Sequence, residues 1–183
     1  MTRRPFRVLG KTMPRKDAVA VVTGRQRYSV DIALPRMLHW RILSSPHAHA
    51  RIRSIDTSKA EAMGAVCITF ANVPQVRYNE RIITAPSVLH KDNHVLADKV
   101  RRMGEAVAAV AAETEWLAEQ AVRAIEVEYE VLPAVTDPFD AMAPGAAPVH
   151  DTIDWGDEEV RVENNIACAR TIAEGDADRA FDE

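Results

Sequence analysis

The chain has 183 residues, 47% apolar and 27% charged with only 5% aromatic, which fits an ordinary water-soluble globular protein with room for one real core. A net charge of −4 and a pI near 5.9 supply no basic face of the kind nucleic-acid binders use. No stretch approaches the ~18 consecutive apolar residues of a membrane span, and no apolar segment follows the N-terminal arginines, so the sequence predicts no signal peptide and a cytoplasmic protein.

Residues 1–20 read as an extended lead-in, with Pro5 and Pro14 among scattered bases. Up to residue 27 only Asp17 opposes a series of arginines and lysines, whereas acids dominate from Asp151 onward. Solvated ends account for this asymmetry; ends lying against partners of complementary charge are the sharper reading. Gly24 marks a turn, "RYSVDI" alternates, and Pro35 marks a bend. "MLHWRIL", Met37 to Leu43, predicts a strand with Leu38, Trp40 and Ile42 on one face. "HAHARIRSI" predicts a second strand, paired with the first around Ser44-Ser45-Pro46.

Thr57 to Met63 predicts a short helix, with Thr57 or Ser58 as cap and Gly64 as its stop. The continuous apolar run "AVCITF" predicts a buried strand. Residues 72–95 have no clean period and read as an irregular excursion, with one short strand at "RIIT". The run from Ala106 to Ala112 has helical propensity, but its position between Gly104 and the next helix favours a buried strand. Thr114 is placed to cap a helix to about Ile125, with Leu117, Ala121 and Ile125 as its buried stripe. "EVEYEVLPAV" then alternates glutamates with Val127, Tyr129 and Val131, the pattern of a strand wet on one face and closed by Pro133. The Pro-, Ala- and acid-rich stretch after Val135 reads as a surface linker.

Residues two apart share a strand face, so His47, His49, Arg51 and Arg53 are expected to project together, with Ala48, Ala50 and Ile52 turned inward. A metal there would sit beside two guanidiniums with too few ligands. His90 and His94 have i, i+4 spacing but lack the glutamate of HExxH and an established helix. Cys67 and Cys168 lie far apart and form no CxxC, which suggests neither a zinc site nor a disulfide. Asp31, Asp56 and Asp98 stand near turns, where carboxylates commonly accept backbone N–H groups. Glu105, beside Gly104 at a strand entrance, is the one acid placed where backbone approaches a ligand; a solvated turn carboxylate is the plainer reading. No GxGxxG, P-loop or GxSxG occurs.

Several stretches together resemble a known family. These are Pro14-Arg15 with Asp17, Val22-Thr23-Gly24, Tyr28, Asp31, Leu34-Pro35 and "SPHAHARI" through Asp56, then "VLADKVRRMGEAVAAVAAETEWLAEQAVRAIEVEYEVLPAVTDP" and the later "ENNIA" and "EGDADRAFDE". In that order they are similar to the opening of the molybdopterin-binding subunits of molybdenum hydroxylases, the xanthine dehydrogenase and aldehyde oxidase family. Arg102, where the family often has an aromatic, Ala106, where proline is common, and the segment 72–94 depart from its pattern.

The resemblance implies an α+β fold: an α/β-hammerhead domain over residues 21–138, an extended lead-in over 1–20, and an acidic connection over 139–183 toward a molybdopterin-binding domain. It implies an oxidoreductase that hydroxylates aldehydes, purines or other N-heterocycles with water as oxygen source. Molybdenum–molybdopterin, in bacteria the cytosine dinucleotide form, would be held by later segments, and [2Fe–2S] clusters and FAD by partner domains or subunits. No catalytic, cofactor or metal role is transferred to any residue of this chain, which alone is expected to be inactive. A free-standing hammerhead interaction module is the alternative.

Overall fold

The computed structural model describes residues 8–79 and 90–166, together with residues 169, 172 and 174–176. The chain divides into two units, Met1–Met37 and Leu38–Glu183. In the first, helix α1 spans Ala18–Val22 and buries none of its residues. Arg15 grips Asp17 just before it through two 2.7 Å bonds, and the Thr23 hydroxyl donates to the Val19 carbonyl at its end. Gly24, at φ +68°, then reverses the chain. The expectation of a wholly extended lead-in is therefore corrected at Ala18, where the Ala-Val run satisfies its own backbone as a short helix. "RYSVDI" is not a strand either. A 3₁₀ turn at Ser29–Asp31 is held by Asp31 Oδ2, which accepts the Tyr28 N–H at 2.9 Å.

The second unit contains β1 (His39–Ser44), β2 (Ala50–Asp56), α2 (Ser58–Ala62), β3 (Val66–Thr69), β4 (His90–Lys91), β5 (Lys99–Val100), β6 (Ala106–Ala112), α3 (Glu115–Ala124), β7 (Glu126–Val131), α4 (Pro138–Ala141), β8 (Thr152–Trp155) and β9 (Glu158–Arg161). They form three antiparallel sheets, ordered β1-β6-β3, β5-β2-β7 and β4-β8-β9. The strand reading of Ala106–Ala112 holds. Flanked on both sides, β6 is the centre of its sheet, where backbone pairing outweighs the helical propensity of alanine.

The predicted pairing of β1 with β2 is overturned. β1 pairs with β6 from His39↔Ala112 to Ser44↔Ala106, while β2 pairs with β7 and β5. The chain leaves the first sheet at Ser45-Pro46 and enters the second at Ala50, so the intervening residues form a corner between sheets rather than a hairpin.

Helix α3 lies on the first sheet and buries Ala118, Ala121 and Val122, continued by Ile125. Its N-terminus is capped as predicted, Thr114 Oγ1 accepting the Leu117 N–H at 3.1 Å. The main core joins these residues to Ala60 of α2, Cys67 of β3 and Ala108, Val110 and Ala112 of β6. So many alanines let the helices sit close to the sheet, which is how a chain poor in aromatics fills its interior. Ala50, Val100 and Val107 make a smaller core beneath the second sheet. At α2 Thr57 holds the N-cap position as predicted, but its hydroxyl goes to Glu61, and Asp56 Oδ1 accepts the Ser58 N–H at 2.9 Å.

The stretch read as a linker contains ordered structure. β8 and β9 form a hairpin around Gly156, and β8 also pairs with β4 from the irregular excursion. Arg77 clamps this hairpin, donating to Asp154 at 2.7 Å, Glu159 at 3.0 Å and Thr152 at 2.9 Å. The strand predicted at "RIIT" and Cys168 lie outside the described residues.

Candidate functional site

Three features of the second unit are candidates: the corner after β1, a polar cluster after β5, and the outer face of the first sheet. The corner holds most of the residues singled out by sequence. Ser45, buried, ties both ends of the Gly104 turn: its N–H donates to the Glu105 carbonyl at 2.8 Å, and its carbonyl accepts the Gly104 N–H at 2.9 Å. Gly104 sits at φ +81°, where a side chain is strained. The Ser45 hydroxyl also takes the His47 N–H at 3.0 Å.

The two histidines part company. His49 is 5% exposed, and its Nδ1 lies 2.6 Å from the Pro133 carbonyl oxygen beyond β7. A carbonyl only accepts, so Nδ1 carries the proton and donates. His47 is half-buried and meets Tyr129 edge-to-face, with centroids 4.9 Å apart. Burial raises the Tyr129 phenol, opposed by its hydrogen bond with Ser45.

The shared outward face predicted for His47, His49, Arg51 and Arg53 is thus half wrong. Arg51 and Arg53 are exposed and Ala50 and Ile52 turn inward, but His49 is buried beside Ala50. Alternation starts only where β2 begins, and it is broken again by an irregularity between Ile52 and Ser54. Glu105 is a turn carboxylate, though a half-buried rather than a solvated one: its Oε2 accepts the N–H groups of Arg101 at 2.5 Å and Arg102 at 3.3 Å, closing its own turn.

The polar cluster was not foreseen as a unit. Lys99, 7% exposed, donates to the Pro148 carbonyl at 3.0 Å and Asp151 at 3.3 Å, joining β5 to the approach of β8. Burial opposes ionisation of Asp98, but the Arg101 hydrogen bond at 2.7 Å and charge, the Lys99 N–H and His94 together hold its carboxyl at about 2. Its role is therefore an ion pair rather than a simple turn acceptor. Burial, with Arg101 and Lys99 outweighing Asp92 and Asp98, lowers His150 to about 4. His94 packs edge-to-face on Phe70, and His90 stacks on Trp155. They serve two different contacts, not one helix face. No sequence signal links these groups, because Lys99 and Asp151 are 52 positions apart.

Among the described residues, no three His, Cys, Asp or Glu side chains form a group able to hold a metal ion. The arrangement joins the corner after β1 to the end of β7 and to the Gly104 turn, and β5 to the approach of β8. What it does chemically is spend its polar side chains on holding strands together.

The third feature is apolar. Register places Trp40 of β1, Ala111 of β6 and Val66 of β3 in one row, and Ile42, Ala109 and Ile68 in the next. Both rows face away from α3, and Trp40 and Val66 are 64% and 61% exposed.

Comparison with known proteins agrees with this geometry. Residues 23–133 match the family model "Aldehyde oxidase and xanthine dehydrogenase, a/b hammerhead domain". The chain is 40% identical over 151 residues to the "Probable hypoxanthine oxidase XdhD" of Escherichia coli O157:H7, covering 81% of this chain and 16% of that protein. It is 36% identical over 148 residues to the carbon monoxide dehydrogenase large chain of Afipia carboxidovorans, covering 79% and 18%. Among solved structures, the aldehyde oxidoreductase from Desulfovibrio desulfuricans superposes with a TM-score of 0.69 at 33% identity, covering 79% of this chain and 17% of that one. The chain thus spans less than a fifth of the length of these three relatives.

Proposed function

The chain belongs to the aldehyde oxidase and xanthine dehydrogenase family as its a/b hammerhead domain, and on that premise we propose that it is the N-terminal structural domain of the molybdopterin-binding large subunit of a molybdenum hydroxylase. The whole enzyme hydroxylates an aldehyde, a purine or another N-heterocycle with water in the cytoplasm. Molybdenum–molybdopterin, in its cytosine dinucleotide form, belongs to segments beyond this domain. [2Fe–2S] clusters and FAD belong to partner domains or subunits. Residues 1–20 are the lead-in, 21–138 the hammerhead, and 139–183 the connection toward the cofactor domain, here including the β8–β9 hairpin.

The observation that carries this reading is where the chemistry-bearing side chains go. His49 is committed to Pro133, Glu105 to two backbone amides, Asp98 to Arg101 and Lys99 to Pro148. Each closes a contact between elements distant in sequence or caps its own turn, as a scaffold requires. The domain's contribution to the reaction is positional. The test is turnover with an artificial electron acceptor on aldehyde and purine substrates. The purified 183-residue chain is expected to be inactive and the large subunit carrying it active; turnover by the isolated chain overturns the reading.

A further inference from the structure

The three sheets are not equally anchored. The first and second rest on the two apolar cores, and neither core contains a residue of the β4-β8-β9 sheet. Among that sheet's residues only His90 and Ile153 are buried, and β9 is exposed along its whole length. Polar groups hold it together instead. The Tyr78 N–H donates to the Asn93 carbonyl at 2.8 Å, and the Asn93 N–H returns to the Tyr78 carbonyl at 3.2 Å. The Asn79 side-chain amide donates to the His90 carbonyl at 2.7 Å, and the His90 ring stacks on Trp155 of β8. Arg77, its side chain 21% exposed, closes onto Asp154, Thr152 and Glu159. These contacts tie residues 77–79, 90–93 and 152–161 to one another.

Toward the hammerhead, Lys99 of β5 reaches across to the Pro148 carbonyl and to Asp151 ahead of β8. A buried ammonium either keeps its acceptors or moves out to water, because an unpaired buried charge is strongly destabilising. The contact therefore has two states, closed, or open with residues 148–151 swung into solvent. We infer that the excursion and the β8–β9 hairpin form one block that opens from the hammerhead as a unit, with Lys99 as its latch and Arg77 as the tie that keeps the block whole. This goes beyond the reading under Proposed function and does not depend on it. Local opening follows contiguous units with little apolar burial, and the elements that move in regulation are drawn from such units. Opening frees the approach to β8 while both cores stay packed.

Native-state amide exchange of the full 183-residue chain, followed by mass spectrometry at urea concentrations below the unfolding transition, tests this. Amides in 77–79, 90–93 and 152–161 should share one opening with a common urea dependence, roughly tenfold or more faster than β6 and α3. Lys99→Met should speed that shared opening roughly tenfold, as expected for losing a hydrogen-bonded charge, and leave β6 and α3 unchanged. Arg77→Met should split the block, so that 152–161 no longer exchange together with 77–79 and 90–93. Third-sheet amides that exchange only with β6 and α3 overturn the inference, as do separate urea dependences for the three segments in the parent chain. Unchanged exchange in Lys99→Met overturns it as well. So does loss of β6 and α3 protection in that variant, since Lys99 would then support the hammerhead itself. Segments that still exchange together in Arg77→Met overturn the role given to Arg77.

Discussion

The imidazole Nδ1 of His49 and the carbonyl oxygen of Pro133 meet at 2.6 Å across 84 positions of sequence. Beside it, the Leu132 N–H donates to the His49 carbonyl at 2.9 Å. The corner after β1 and the end of β7 are thus fastened twice, once through backbone and once through a buried side chain. This fastening gives the "PHAH" stretch a structural purpose.

Replacing His49 tests it. His49→Ala removes a hydrogen bond and leaves a cavity, and is expected to cost about 2–3 kcal/mol. His49→Phe keeps most of the volume but strands the Pro133 carbonyl, and is expected to cost about 1 kcal/mol. Urea unfolding of both variants checks the order; equal stability of all three proteins contradicts it.

Lys99 makes a separable prediction. Its ammonium reaches Pro148 and Asp151 from a buried position. Lys99→Met should cost roughly 1–2 kcal/mol by leaving the Pro148 carbonyl unpaired. The loss should concentrate in β8 and β9. Amide exchange across residues 152–161 is expected to accelerate, while exchange in β6 and α3 stays as in the parent.

Acid should destabilise the fold in two stages. His150 titrates near 6.5 unfolded and about 4 folded, so between those values the unfolded chain takes up a proton that the folded chain refuses. Stability therefore falls as pH drops from 6.5 toward 4, by roughly 1–3 kcal/mol. Asp98, near 3.8 unfolded and about 2 folded, contributes stability above 3.8 that is lost as pH falls through 2. His150→Gln should abolish the first limb and preserve the second, read from urea midpoints across pH.

Cys67 is buried, and burial followed by the charge of Glu61 raises its thiol. Alkylation at neutral pH is expected to spare Cys67 in the folded chain and to modify it fully in denaturant, as mass spectrometry of its peptide would report. Fast native labelling at that position contradicts the packing around β3.

Much of this was written in local patterns. The Glu/Val alternation of β7, the Thr114 cap and the Leu117–Ala121–Ile125 stripe are short-range signals, and each element formed where they pointed. The partner of β1 was not legible, because it is β6, more than sixty residues away, and sequential adjacency suggested β2. The burial of His49 was missed because strand alternation was extended back through a corner that has none. The β8–β9 hairpin was hidden by the acidic, proline-rich stretch before it, although Gly156 between two short runs marked its turn. Trp40 and Ile42 share one face of β1 as the alternation indicates, but that this face lies away from α3 depends on where α3 packs.

The central claim is that this domain positions a metal cofactor held by other segments. Molybdenum and pterin stoichiometry measures it directly, by elemental analysis and by fluorescence of the released pterin. Expressed with cofactor biosynthesis intact, the 183-residue chain is expected to carry neither above background, and the large subunit containing it to carry both in equal amount. Stoichiometric molybdenum and pterin on the isolated chain would contradict the account.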